Sequence, residues 1–197
     1  MYQDLKGKTA LVTGAGKNSG IGYAIARKMA ENGANIVIAD LAKTKEGNNP
    51  LITGLAYAIG AKLAQPDKPV YCVTGDSAFG FNIQELETAV RTKLPVIIIV
   101  AVDGAYGIGK TAQQRMFGRQ AGWFGHEHAP VRYDQVAIAM GCHGEYVNKG
   151  SEIESAIERA QSSEKPAVIH AVVDPVANVD PPGNWLWTAA RTGKLEM

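Results

Sequence analysis

Val70-Tyr71-Cys72-Val73-Thr74-Gly75-Asp76-Ser77-Ala78-Phe79-Gly80-Phe81, and downstream Val96-Ile97-Ile98-Ile99-Val100-Ala101-Val102-Asp103-Gly104-Ala105-Tyr106-Gly107, decide the fold. Each stretch begins as an apolar run rich in β-branched residues, the pattern of a strand buried on both faces. Each then breaks into a glycine-flanked acidic turn. Two such strands running parallel put Asp76 and Asp103 at their carboxyl ends, where open α/β sheets receive ligands. Carboxylates brought together there repel unless a cation stands between them. A hard divalent ion with oxygen ligands, Mg²⁺ holding a phosphate group, is the reading this chemistry favours.

Working outward, Gly54 to Ala64 reads as a close-packed helix, and Gln65 to Pro69 as the turn into the first strand. After Phe81, Asn82 is a candidate N-cap, Glu85 stands three residues on as in a capping box, and Ile83, Leu86 and Val90 form an apolar stripe. Leu94-Pro95 ends that helix before the second strand. Residues 107 to 128 are irregular, a loop or short helix in which Gln113, Gln114, Arg115, Arg119, Trp123 and Phe124 line a pocket or an interface. A short helix over Tyr133 to Met140, a strand over Gly144 to Val147, a capping-box helix from Ser151 to Ser162 and a last strand over Ala167 to Val173 complete the pattern. The tail carries Trp185 and Trp187, which are expected to pack on their own domain or on a partner.

The opening of the chain is a unit of its own kind. Thr9 to Thr13 reads as a strand, Gly14 to Gly22 as a glycine-rich turn, Ile21, Ala24, Ile25, Met29 and Ala30 as a helical stripe, and Asn35 to Asp40 as a second strand ending in an acid. In such a layout backbone N–H groups hold a pyrophosphate and the acid takes a ribose hydroxyl. Gly14, Gly20, Ile21, Gly22 and Asp40 are the dinucleotide-binding candidates, with NAD as the cofactor, and the alternative is that the glycines serve only the turn. The polar run Lys43 to Pro50 reads as a linker, so the expected domains are 1–46, a truncated Rossmann-like βαβ unit, and 47–197.

Composition narrows the function classes. The 197 residues carry a formal net charge of +1, which predicts no strong attraction to nucleic acid or to an anionic membrane. No apolar run reaches the roughly 20 residues that span a bilayer, and the amino end has no signal-peptide core. Cys72 and Cys142 read as free thiols of a reducing compartment, and the expected location is cytoplasmic. His126 and His128 are either a metal pair or solvated loop residues. Arg115 and Arg119 either meet an anionic substrate or CoA phosphate, or serve the surface. His143 and His170 read as packing residues.

Two family resemblances follow. Thr13-Gly14, Gly20-Ile21-Gly22 and Asp40 resemble the opening of the short-chain dehydrogenase/reductase family, with two extra residues in the loop, and the likeness stops near residues 43–47. Residues 54 to 197 resemble the diphosphate-binding domain of thiamine-diphosphate-dependent enzymes. That family's motif opens with Gly-Asp-Gly and closes with Asn-Asn. Here Gly75-Asp76-Ser77 and Val102-Asp103 stand in those places, with 24 residues between Ser77 and Val102. Gly75 to Phe81 with Glu85, Glu87 and Thr88 is most similar to the oxalyl-CoA decarboxylase and 2-hydroxyacyl-CoA lyase branch, beside acetolactate synthase-like enzymes.

This second resemblance implies an α/β fold, a mostly parallel sheet flanked by helices, that binds thiamine diphosphate and Mg²⁺. It implies Asp76, Asp103 and the carbonyl of Ala105 as metal ligands. It also implies Gly75, Asp76, Ser77, Ala78, Asp103, Ala105, Tyr106 and Gly107 as the cofactor-binding residues, and Asp103 in place of Asn adds a negative charge to the site. Family members take from a second domain, usually on another subunit, a Glu that activates the cofactor. The chain is expected to lack that domain, so its catalytic residues are not named. It would be a natural fusion, a subunit of a two-chain enzyme or a rearranged, non-functional product. The implied function is the cofactor-binding part of a carbon–carbon lyase or decarboxylase acting on 2-hydroxyacyl-CoA or 2-keto acids, in a homo-oligomer or with a pyrimidine-binding-domain subunit. The alternatives are an NAD(P)-binding dehydrogenase-like protein and a catalytically silent interaction subunit.

Overall fold

Six strands form one sheet in the computed structural model, which describes residues 9–13, 27, 31, 35–39, 54–118 and 125–175. They are β1 (Thr9–Thr13), β2 (Asn35–Ala39), β3 (Val70–Gly75), β4 (Val96–Val102), β5 (His143–Val147) and β6 (Ala167–Val172), in the order β2-β1-β3-β4-β6-β5. Every neighbouring pair runs parallel. The helices are α1 (Gly54–Ala64), α2 (Asp76–Gly80), α3 (Glu85–Arg91), α4 (Gly107–Phe117), α5 (Tyr133–Ala139) and α6 (Ile153–Ser162). The α/β class expected from the apolar runs is the one the chain adopts.

Side chains on the central strands alternate between the two sheet faces, as a pleated backbone requires. On one face Val70 and Cys72 of β3, Val96, Ile98 and Val100 of β4, and Val168 of β6 pack with Leu55 and Ala58 of α1, Leu86 and Ala89 of α3, and Ala137 of α5. On the other face Tyr71 and Val73, Ile97, and Ala167 and Ile169 pack with Ala156 and Ala160 of α6. Register makes this work. Cys72 pairs with Ile98 and Ile98 with Val168, while Tyr71 pairs with Ile97 and Ile97 with Ala167. Small residues on α6 let that helix approach the sheet closely, and Ile153 and Ile157 flank them. Cys72 and Cys142 are buried free thiols, and burial pushes them up to about 12 and about 11.

The helix starts differ from expectation. Asp76 to Gly80 is a short helix rather than a turn, entered from an extended Gly75. Asn82 does not cap α3. The chain keeps turning through residues 81–84, where Asn82 N–H donates to Phe79 O and Glu85 N–H to Asn82 O, so the first-turn donors find main-chain carbonyls. Glu85 instead accepts from Thr88 Oγ1 at 2.9 Å. Likewise a 3-10 turn over Gly150–Glu152 leads into α6, where no side-chain cap forms, in place of a capping box at Ser151. Within residues 107 to 128, expected to be a loop or short helix, Gly107–Phe117 form the eleven-residue helix α4.

The chain divides into two compact units, one of Met1–Val102 with Arg132–Val173 and one of Asp103–Val131 with Asp174–Met197. The first contains the whole sheet. Within it β1 lies directly against β3, from Thr9 opposite Val70 to Val12 opposite Val73, and β2 lies outside β1. Removing residues 1–46 would therefore leave β3 as a bare edge beside the buried Tyr71 and Val73, a template for aggregation. The shortened chain is expected to melt at lower temperature and to aggregate in size-exclusion chromatography. Unchanged melting of residues 47–197 would mean instead that the opening strands form a separate domain.

Candidate functional site

The carboxyl end of β3 carries the first of the expected ligands. Asp76 opens α2 and is 3% exposed, although it is charged and follows an exposed Gly75. Its Oδ1 accepts the Ser77 N–H at 2.7 Å and lies 3.4 Å from Ser77 Oγ. The amide of Ser77, expected to face a diphosphate, thus donates to Asp76 here. Ser77 and Ala78 are half-buried on α2, while Phe79 turns inward against Tyr133, ring edge to ring face, with centroids 5.6 Å apart. That contact anchors the short helix to the core and so fixes where Asp76 stands.

In the second unit, Asp103 is the residue that follows the end of β4. Its Oδ1 accepts the Ala105 N–H at 3.1 Å, closing a turn around Gly104. Gly104 has φ +73°, a left-handed conformation that glycine adopts without strain. Ala105 is buried and pairs with Glu127 in an isolated antiparallel bridge. Tyr106 N–H donates to His126 O and His128 N–H donates to Gly104 O, each at 2.8 Å. The His126 and His128 side chains are half-buried, so neither belongs to a solvated loop. Tyr106 and Gly107 begin α4, on which Gln113 and Gln114 are half-buried. Gln113 Oε1 is buried with no hydrogen-bond partner among the described residues.

The Asp76 carboxylate in the first unit, and the Asp103 carboxylate and Ala105 carbonyl in the second, are each hard oxygen donors of the kind that fits Mg²⁺ chemically. Among the described residues no three or more His, Cys, Asp or Glu side chains cluster as a metal site.

One buried polar cluster was not read from the sequence. At the start of α5, Arg132 grips Asp134 with two hydrogen bonds, Nε to Oδ1 at 2.8 Å and Nη2 to Oδ2 at 2.6 Å, and Gln135 Nε2 adds a third at 3.1 Å. Burial pushes the Asp134 carboxyl up, but these bonds outweigh it and leave the group below its ordinary range. The Arg132 guanidinium lies 4.0 Å from the centre of the Tyr146 ring. Beneath them His170 of β6 is 4% exposed, its Nδ1 accepting the Tyr133 N–H at 3.3 Å and lying 3.9 Å from Asp134 Oδ1. His170 packs as expected, and it also serves as an acceptor. Its contacts join residues far apart in sequence, which no local spacing signals. His143 likewise has a polar partner, Glu145 Oε1 at 2.7 Å, and Arg159 binds the same carboxylate.

The dinucleotide candidates Gly14, Gly20, Ile21, Gly22 and Asp40 lie outside the described residues, as do Arg119, Trp123, Phe124, Trp185, Trp187 and the side chain of Arg115. Among the described residues no helix is long and apolar enough to cross a membrane.

Comparison with known proteins puts these features in context. The family model for the C-terminal TPP binding domain of thiamine pyrophosphate enzymes matches residues 43–171. Among curated relatives, an acetolactate synthase large subunit from Mycobacterium tuberculosis is 37% identical over 123 residues, covering 62% of this chain and 22% of that protein. A 2-hydroxyacyl-CoA lyase from Oryza sativa is 34% identical over 134 residues, 64% of this chain and 22% of the relative. An oxalyl-CoA decarboxylase from Escherichia coli is 35% identical over 127 residues, again 64% and 22%. The chain thus spans 22% of the length of these relatives. A thiamine diphosphate-dependent 4-hydroxybenzoylformate decarboxylase from Rhodococcus jostii superposes with a TM-score of 0.65 at 20% identity, over 86% of this chain and 30% of that one, a likeness of fold.

The His170 cluster generates a pH prediction. Burial lowers the His170 pKa below its ordinary value of 6.5, with Asp134 opposing and Arg132 assisting. The folded state therefore binds a proton less readily than the unfolded chain, and stability is lost as pH falls below about 6.5. Thermal melting followed from about pH 7 to about pH 5 should show the midpoint dropping in the wild-type chain. The decline should be shallower in His170→Asn, which cannot charge. Equal slopes would remove His170 as its source.

Proposed function

The chain belongs to the thiamine pyrophosphate enzymes, through their C-terminal TPP-binding domain, and from that premise we propose that it is the diphosphate-anchoring part of a carbon–carbon lyase or decarboxylase. The observation that carries this reading is the placement of Gly75-Asp76-Ser77 at the end of β3 and of Val102-Asp103 at the end of the adjacent parallel strand β4. We assign Asp76, Asp103 and the Ala105 carbonyl as ligands of Mg²⁺. Ser77, Ala78, Tyr106 and Gly107 are assigned to the cofactor, with Gly75 giving the backbone room to approach it. When bound, thiamine diphosphate would supply a nucleophilic carbon that adds to the substrate carbonyl and a cationic thiazolium ring that takes up the electron pair released by C–C cleavage.

This chain's own residues position and neutralise. Asp76 is drawn into place by the Phe79–Tyr133 contact and by the Ser77 amide. Asp103 is oriented by the amide of Ala105. Asp in the place of Asn adds charge, so tight Mg²⁺ binding precedes tight diphosphate binding, and cofactor affinity rises steeply with Mg²⁺ concentration. The substrate class assigned is 2-hydroxyacyl-CoA or 2-keto acids, in keeping with the names of the relatives. The Glu that activates the cofactor is assigned to a pyrimidine-binding partner, in a homo- or hetero-oligomer.

Calorimetric titration of the full chain with thiamine diphosphate should give heat only in the presence of Mg²⁺, and Asp76→Ala should weaken binding by more than about tenfold, or 1.4 kcal/mol. Addition of a separately expressed pyrimidine-binding domain should tighten it. Wild-type-like binding by Asp76→Ala, or no binding at saturating Mg²⁺ with that partner present, would remove the assignment.

A further inference from the structure

The Asp103–Tyr106 turn does not stand alone. We propose that Gly125 to His128 form a brace that holds this turn in shape, and that position 109 is glycine because the brace needs its space. The proposal rests on the assignment of Asp103 and the Ala105 carbonyl to the metal, and it adds positioning residues that do not themselves touch it.

Three features in the second unit carry it. The first is the two-bond ladder, Tyr106 N–H to His126 O and His128 N–H to Gly104 O, which clasps Ala105 from both sides. With Ala105 opposite Glu127, the orientation of the Ala105 peptide is determined by these bonds together with Asp103 Oδ1. The second is side-chain locking of the same segment onto α4. Tyr106 meets His128 edge to face with ring centroids 4.6 Å apart, and Lys110 Nζ lies 3.5 Å from Glu127 Oε1. The third is the close approach of His126 to α4. A Cβ added at Gly109 would stand 2.8 Å from His126 Nε2 and 2.9 Å from its Cδ2, closer than real Cβ contacts.

Glycine is a poor residue for the first turn of a helix that begins at Gly107, and alanine there ordinarily stabilises the helix. Its presence at 109 is explained by the imidazole lying over it. The consequence is a chain of support: Gly109 admits the His126 ring, His126 and His128 bind the main chain on either side of Ala105, and that main chain presents the carbonyl and carboxylate to the cation. Residues that orient metal ligands in this way commonly matter by about 10-fold to 100-fold in metal affinity.

The test is a compensation cycle in the full chain, using Gly109→Ala, His126→Ala and the double variant, with Asp103→Ala as reference. Two measurements are made on each: amide hydrogen exchange at Tyr106 and His128 without ligand, and calorimetric binding of thiamine diphosphate at saturating Mg²⁺. Both amides should be protected in the wild-type chain, exposed to exchange in Gly109→Ala, and protected again when His126→Ala relieves the clash. Binding should fall by roughly 10-fold or more in Gly109→Ala and recover in the double variant. Rapid exchange at both amides in the wild-type chain, or a double variant no better than Gly109→Ala, would overturn the brace. Wild-type binding by Asp103→Ala would instead overturn the metal assignment on which the brace acts, while leaving the exchange result to judge the brace itself.

Discussion

The ladder β3–β4–β6 is apolar on both faces, and everything else in the first unit follows from the need to cover it. Parallel strands cannot be joined by tight hairpins, so the chain must cross over between them, and the crossovers supply the covering helices. α1, α3 and α5 take the face built on Cys72, Ile98 and Val168, and α6 takes the face built on Tyr71, Ile97 and Ile169. Because all strands point the same way, their carboxyl ends emerge together. Asp76 and Asp103 follow directly on the ends of β3 and β4, where the apolar pattern stops.

Two buried acids of the first unit, Asp134 and Asp76, keep different company. Asp134 is stabilised outright by a bidentate guanidinium and an amide, so its charge is spent inside the fold. Removing the Arg132 guanidinium would leave the buried Asp134 carboxylate without its bidentate partner, which suits a structural role. Asp76 is just as buried, and its Oδ1 accepts the amide N–H of Ser77 at 2.7 Å and lies 3.4 Å from the Ser77 hydroxyl.

Much of the fold was legible. β3, β4 and β6 declared themselves through unbroken β-branched runs, and α1 and α6 through small and apolar residues at helical spacing. The two strand-end acids were legible for the same reason, since each stands where an apolar run ends. What escaped had physical causes. α4 hides behind two glycines and a polar sequence, because one of those glycines serves a neighbour's side chain and not the helix. The capping signals at Asn82 and Ser151 misled because main-chain carbonyls in preceding tight turns had already satisfied the first amides. The Arg132–Asp134–Tyr146–His170 cluster is assembled from an interhelical loop, a helix start and two strands, so no window of sequence contains it.

The pairing of β1 with β3 has one further implication. Ladder hydrogen bonds are made by the main chain, which is the same in every residue but proline, so the exposed rim of β3 places almost no demand on the identity of the strand that joins it. Any β-prone segment of four or five residues, delivered in the right direction by the connection that follows it, would satisfy the rim. A sheet of this kind is open to exchange of its outer strands between lineages while its inner strands, with their interlocked side chains and strand-end acids, stay fixed. The inner strands and the two strands that close the edge beside β3 are free to have separate histories.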